Sequence, residues 1–370
     1  MRALCPSRIC YLGVSLNKQA VALDLFPELA IPASEKPARA PRASKPKAAK
    51  PAPASAPLAP QGALAATSTA DDPEAMARAL EAHADYRVLR RLKPLMQWPG
   101  TPTGPMLHVV LLDTETTGLD SSKERIIELA MLRVDIDTAT GLPVGEVQVY
   151  DGLEDPGKPI PAEVVALTGI HDADVKGQQL DEARVHQLLE GVDLVVAHNA
   201  GFDRPFVEAR LDAFAHVSWA CSFADIDWKA QGQGSAKLES LAQSHGWFYD
   251  AHRAEMDCHA LLAVLAQKLP QAAHTGLAHL LQAAQKPSYA VQATNAPFEA
   301  KDKLKARGYR WNADQRVWHT RLKDDAALNE ECAWLKENVY GARRAVVQVE
   351  KLDALVRFSG RTGVVTHQQL

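Results

Sequence analysis

The run Leu107-His108-Val109-Val110-Leu111-Leu112 leads straight into Asp113-Thr114-Glu115-Thr116-Thr117-Gly118. An apolar stretch of this length, stopped by Thr-Thr-Gly, reads as a buried strand. Side chains alternate faces along a strand, so Asp113 and Glu115 leave its end on the same side. Two carboxylates so placed can share hard divalent cations such as Mg²⁺, which prefer oxygen ligands. An Asp-x-Glu pair alone is common, and solvated strand ends account for most cases. The strand-end placement and the glycine that follows make this one specific enough to organise the rest of the chain around it.

Strand and helix signals interleave from Met106 to about residue 270. Strands are expected at 107–113, 126–136, 145–152, 193–197 and 218–223, and helices near 161–167, 179–190, 203–213, 235–245 and 255–268. Antiparallel strands first, then alternating strand and helix, imply an α/β domain with a mixed sheet. Two further acids fall at helix starts. Val195-Val196-Ala197-His198-Asn199-Ala200-Gly201-Phe202-Asp203 is a buried strand, a turn and a helix opening. His252-Arg253-Ala254-Glu255-Met256-Asp257 puts a histidine on a loop and an aspartate in the next helical turn. In isolation the first aspartate would be read as a cap and the second as a partner of the helix dipole.

Taken in order, Asp113, Glu115, Asp203, His252 and Asp257 resemble the signature of the DEDDh family of 3′–5′ exonucleases, which includes the proofreading epsilon subunit of bacterial DNA polymerase III. The resemblance covers roughly 106–269 and includes Leu167-Thr168-Gly169-Ile170 between the first two motifs. It implies a ribonuclease-H-like fold, a mixed five-stranded sheet with flanking helices. It also implies two divalent ions, Mg²⁺ or Mn²⁺, held by Asp113, Glu115, Asp203 and Asp257, with His252 as general base. The residue types suit that chemistry. Hydrolysis of a phosphodiester needs an activated water and charge neutralisation, which paired metals supply, and histidine titrates near neutrality. By the same resemblance Thr116, Gly118, Leu119, Ile170 and Asn199 contact the terminal nucleotide. Cys258 and His259 beside His252 suggest zinc only weakly, since no other Cys or His stands at a zinc spacing.

The expected substrate is nucleic acid with a free 3′ end, single-stranded DNA in the leading reading, with nucleoside 5′-monophosphates released. An RNA-trimming exoribonuclease and a non-catalytic nucleic-acid-binding scaffold are the alternatives. Retention of all five residues argues against the scaffold, and the choice between DNA and RNA stays open.

Outside this domain the composition shifts. Residues 1–72 form a tail in which 33–72 are dominated by Ala, Pro, Lys and Ser, too few large apolar residues to offset ordering entropy. Within it, Ala22-Leu23-Asp24-Leu25-Phe26 resembles the pentapeptide that binds the bacterial sliding clamp, with alanine where that motif has glutamine. Residues 73–105 read as a helix over about 72–92 and a Pro-rich lead-in. After a spacer at 271–287, residues 288–358 read as a small α+β module, strand, helix, hairpin, helix, strand, followed by a tail at 359–370. From Lys286 to Lys323 nine basic residues face three acids, with Tyr309, Trp311 and Trp318 interleaved. Basic residues with aromatic platforms suit single-stranded nucleic acid. The module resembles a small domain that follows the nuclease in some exonuclease-X-like proteins.

The whole chain carries 41 Lys and Arg against 45 Asp and Glu, so overall charge does not advertise a nucleic-acid partner. Five scattered cysteines without a CxxC pair fit reduced thiols and a cytoplasmic location. No apolar run reaches the ~20 residues of a membrane span. A sliding clamp or a DNA polymerase is the protein partner that the resemblances imply.

Overall fold

The computed structural model describes residues 72–370. The pentapeptide at 22–26 and nearly all of the 1–72 tail lie outside these residues. Chain contacts divide the protein into residues up to Val88 and the compact unit Leu89–Leu370.

In the first unit, helix α1 (Pro73–Glu81) is capped by Asp72, whose side chain accepts from the Glu74 amide at 3.0 Å. The helix is shorter than the spacing of Leu80, Tyr86, Leu89 and Leu92 predicts. In the second unit Leu89 and Leu92 instead flank a two-residue strand, β1 (Arg90–Arg91). Its amides bond to a distant segment, Arg90 to the Gly246 carbonyl and Leu92 to that of Phe248, both at 2.8 Å. Those long-range bonds and the burial of Leu92 outweigh local helical preference.

The central sheet has the order β2-β5-β4-β3-β6-β7. These strands are β2 (Gln97–Trp98), β3 (Met106–Thr116), β4 (Ile126–Asp137), β5 (Leu142–Leu153), β6 (Leu194–Ala197) and β7 (Trp219–Cys221). Strands β3 to β5 pair antiparallel, whereas β3, β6 and β7 run parallel. This is the expected mixed five-stranded sheet with flanking helices, extended by the two residues of β2 at one edge. Odd positions of β3, Val109 and Leu111, pack into one core layer, and even positions, Val110 and Leu112, pack into the other. Helices α2 (Ala162–Thr168), α3 (Asp172–Val175) and α4 (Glu182–Leu189) follow β5. Helix α5 (Ala200–Arg210) contributes Phe206 and Val207 to the even-side layer. The short α6 (Ser222–Asp225), α7 (Leu238–Ser244), β8 (Trp247–Phe248) and α8 (Ala254–Leu265) follow β7, and α8 contributes Cys258, Leu261 and Leu262 to the odd-side layer.

The expected spacer at 271–287 holds a helix, α9 (Gly276–Ala284). Thr275 caps it and donates its hydroxyl to the Gly141 carbonyl at 2.6 Å, while Leu277 and Leu280 enter the odd-side core. Its short apolar stripe was hidden among alanines and glutamines.

The C-terminal sheet has the order β10-β11-β9-β12-β13. Its strands are β9 (Ser288–Ala293), β10 (Arg310–Asn312), β11 (Val317–Leu322), β12 (Val346–Leu352) and β13 (Val364–Gln369). Helices α10 (Lys301–Ala306) and α11 (Asp325–Leu335) contribute Leu304, Cys332 and Leu335 to a core that includes Tyr289 and Val291 of β9. The expected 359–370 tail thus holds the edge strand β13. Segment 354–358 is no strand of this sheet. Its Ala354 carbonyl accepts from the Trp219 amide of β7 at 2.8 Å. Among the described residues no helix is long and apolar enough to cross a membrane.

The packing of α9 against the β4–β5 turn gives a direct check. Gly141 has φ +67°, and a Cβ there would lie 2.5 Å from Ala278 Cβ and 2.6 Å from Thr275 Oγ1. Gly141→Ala is expected to lose about 2–5 kcal/mol from backbone strain plus overpacking. Gly191→Ala, also at φ +67° but facing open space, should lose only the strain, about 1–2 kcal/mol. Urea unfolding midpoints distinguish the two, and equal losses would mean that α9 does not pack as described.

Candidate metal centre

Strand β3 ends where helix starts from both sides of the sheet converge. By alternation Asp113 and Glu115 fall on the odd side, toward α8, and Thr114 on the even side, toward α5. Three carboxylates meet there. One oxygen each from Asp113, Glu115 and Asp257 lie within 4.8 Å of one another, and the three side chains are half-buried. Asp203, at 2% exposure, stands beside this trio and is not part of it. Its carboxylate accepts from the Thr114 hydroxyl at 2.8 Å and the Thr114 amide at 3.2 Å. Thr114 therefore ties the first turn of α5 to the strand that carries the other acids.

Asp257 is anchored by two donors. Tyr249 Oη donates to Oδ1 at 2.8 Å, and the His252 amide donates to Oδ2 at 2.8 Å. His252 adopts φ +64°, an uncommon conformation for a residue with a Cβ. The turn brings its backbone to Asp257 and leaves the residue exposed at the rim. Directly across the β3–β4 ladder from Glu115 is Glu128, whose side chain is fully buried. It accepts from Arg253 Nη2 at 2.7 Å and from the Ala254 amide at 2.9 Å, which fixes the N-terminus of α8. An acid at a helix N-terminus is favourably placed against the dipole.

The electrostatics follow from this crowding. Burial, then Asp203, Asp257 and Glu115, push the Asp113 carboxyl well above the usual range. Glu115 is raised to about 8 by burial, Asp257 and Glu128, with Arg253 opposing. Asp203 is raised to about 7 by burial, which its Thr114 bonds only partly offset. Asp257 is raised by burial against the Tyr249 bond. Four acids thus share one site, and Arg253 is already paired with Glu128. Oxygen-only donors with uncompensated charge fit hard divalent cations. The thiol and imidazole that suggested zinc are elsewhere: Cys258 is buried against the Ala130 carbonyl, and buried His259 lies 3.6 Å from Glu255.

The nucleotide-contact residues are placed less uniformly. Leu119 is 53% exposed. Asn199, at φ +79°, makes no capping bond and sits at the start of α5. Thr116 is buried and donates to the Gly118 carbonyl at 2.7 Å. A Cβ on Gly118 would meet Glu124 Cγ at 2.9 Å, so the glycine permits that close approach. Ile170 departs from the expectation. It is buried with Ile127, Ile160 and Val175, so its side chain belongs to the core. Thr114, Glu128, Tyr249 and Arg253 were not foreseen. Thr114 lay inside the first motif, but Glu128 and Tyr249 gain their roles from sheet register and a tertiary turn, which leave no sequence spacing to read.

Residues 110–265 match the model of the RNase_T family, described as exonuclease. A 100-residue stretch is 38% identical to the DNA polymerase III PolC-type protein of Listeria innocua, spanning 26% of this chain and 6% of that one. A 108-residue stretch is 38% identical to a DNA polymerase III subunit epsilon-like protein of Rhodobacter capsulatus, spanning 28% of this chain and 14% of that one. The match therefore takes in only a small part of these relatives' length. A solved structure titled exonuclease X in complex with 5′ overhanging duplex DNA is 24% identical, with 46% of this chain and 97% of that chain covered and a TM-score of 0.36.

The raised carboxyls carry a pH dependence of stability. Between the ordinary glutamate value of 4.5 and about 8 the folded, metal-free protein holds a proton on Glu115 that the unfolded chain has lost. Stability therefore falls as pH rises through that window. Melting in EDTA should show a decline in Tm from pH 5 to pH 8, flattened by Glu115→Gln and reversed by added Mg²⁺. A metal-free Tm that rises steadily over this range would contradict the crowded-acid description.

Proposed function

Starting from an exonuclease-type domain over residues 110–265, we propose that this protein is a metal-dependent 3′–5′ exonuclease. It removes nucleoside 5′-monophosphates from the 3′ end of DNA, with single strands as the leading substrate. The observation that carries the reading is the meeting of Asp113, Glu115 and Asp257, with Asp203 beside them, at the end of β3 where α5 and α8 begin. Two bound Mg²⁺ or Mn²⁺ ions would supply charge neutralisation at phosphorus and acidify the attacking water. The four acids would hold the ions. Thr114 and Tyr249 keep Asp203 and Asp257 in place without adding charge. His252, at the exposed rim with its backbone tied to Asp257, takes the proton of the attacking water. Thr116, Gly118, Leu119 and Asn199 form the neighbourhood of the terminal nucleotide.

Single strands suit the C-terminal module. Of its three interleaved aromatics, Tyr309 is buried and Trp318 packs on the core, so only Trp311, 50% exposed on β10, is available for stacking. Arg316 and Arg321 are exposed nearby in sequence. In this reading the module grips the strand whose end enters the site. Segment 22–26 tethers the enzyme to a sliding clamp, raising its effective concentration at a replication or repair site.

Single substitutions Asp113→Ala, Glu115→Ala, Asp203→Ala and Asp257→Ala should each nearly abolish nucleotide release from 5′-labelled single-stranded DNA in Mg²⁺ or Mn²⁺. His252→Ala should lower turnover by about 10²–10⁴ while metal affinity stays near wild type. Parallel assays on RNA and on mismatched duplex decide the substrate. Full turnover by any two acid variants at saturating metal would sink the assignment.

The module gives a separate expectation. Trp311→Ala combined with Arg321→Glu should weaken binding to long single strands and lower the salt slope by about one counterion. Release from short oligonucleotides should be unchanged. Identical salt titrations for variant and wild type would remove the module from substrate binding.

A further inference from the structure

Arg204 follows Asp203 on α5, and its side chain is entirely buried. Its guanidinium donates to the carbonyls of Leu355 at 2.6 Å, Arg357 at 2.7 Å and Ala354 at 3.2 Å. Its Nε donates to Glu208 at 2.7 Å, and the group lies 5.3 Å from the centre of the Trp219 ring. All three carbonyls belong to the segment between β12 and β13. That segment is docked independently. Ala354 bonds to the Trp219 amide on β7, and buried Arg357 donates to the Trp219 carbonyl at 3.1 Å and to Asp225 at 3.0 Å. Phe358 packs on the cluster that contains Phe206 and Phe214.

The first turn of α5 needs outside support. Pro205 has no N–H, so the Gly201 carbonyl loses its intrahelical partner. Asn199 makes no side-chain capping bond. The turn that carries Asp203 is instead fastened on two sides, by Asp203 to Thr114 of β3 and by Arg204 to segment 353–361.

We infer that Arg204 is a positioning residue for the metal centre, and that segment 353–361 of the C-terminal module is thereby part of that centre's support. The inference rests on the metal-site reading of Asp203. It also makes the module inseparable from the nuclease domain. Removing the segment leaves a buried guanidinium without its three carbonyls, and breaking such a pairing from one side is strongly destabilising. Lysine cannot replace the arginine, because one ammonium does not span three carbonyls in the planar fork that Arg204 uses.

The test uses the full chain and two readouts, hydrogen exchange of the amides of residues 200–204 and 206 in EDTA and Mn²⁺ affinity by electron paramagnetic resonance. Arg204→Lys should speed exchange in the first turn of α5 and weaken Mn²⁺ binding about tenfold, as the loss of an outer support of a metal ligand does. Arg210→Lys is the control. Arg210 lies at the other end of the same helix, paired with Glu154 and Glu182, and its variant should leave both readouts at wild type. If Arg204→Lys does not fold, Arg357→Lys carries the same expectation at smaller amplitude. A folded variant with wild-type exchange at these amides and wild-type Mn²⁺ affinity overturns the inference. If wild type binds no Mn²⁺, the metal reading fails, and exchange alone decides whether Arg204 fastens the turn.

Discussion

Carboxylates crowded at the end of one strand are the constraint on which the rest of this structure depends. Four acids with raised affinities for protons repel one another, and the fold has to hold them together without neutralising them. A direct arginine partner on each would satisfy the charge and remove the capacity to hold a cation. The protein uses hydroxyls and backbone amides instead: Thr114 for Asp203, Tyr249 and the His252 amide for Asp257. The one arginine at the site is committed to Glu128, one position outside the trio. Such an arrangement costs stability in the metal-free protein, and a divalent ion bound by the folded state alone would recover it.

The sheet makes this crowding possible. Because β3 lies in the middle of it, both faces at its end are reachable. The odd face brings α8 with Asp257, and the even face brings α5 with Asp203. A strand at the edge of the sheet would offer fewer such neighbours. Thr114, pointing away from Asp113 and Glu115, becomes the link between the faces.

The C-terminal module changes the picture of a nuclease with an appendage. Its core is its own, built on Tyr289, Val291, Leu304 and Leu335. Its segment 353–361 nevertheless docks on the edge strand β7 through Trp219 and pairs Arg357 with Asp225 and Arg361 with Glu208. Covering the edge in this way also satisfies the Trp219 amide and carbonyl, which an edge strand would otherwise leave unpaired. Structural integration with the nuclease and contact with a nucleic-acid strand are compatible, since Trp311 lies on the edge strand at the other end of the sheet.

Much of this was legible in the residues themselves. The period-two pattern and apolar run of β3 specified a buried strand, and the order of the acidic motifs pointed to the domain type and to Asp113, Glu115 and Asp257, whose carboxylates meet. Local physics sufficed for the strand, because alternation places its side chains without reference to the remainder of the fold, whereas the acids at helix starts were joined to it only by the family resemblance of the ordered motifs. What local pattern could not decide was decided by contacts across long chain separations. Leu89 and Leu92 look helical by spacing but sit beside a strand paired with 247–248. Ile170 became core because Ile127 and Ile160 surround it. Glu128 faces Glu115 only through the β3–β4 register. Arg204 is a surface-like residue by composition, yet three backbone carbonyls about 150 positions away bury it. Backbone carbonyls carry no residue identity, so only the tertiary structure could assign Arg204 its partners.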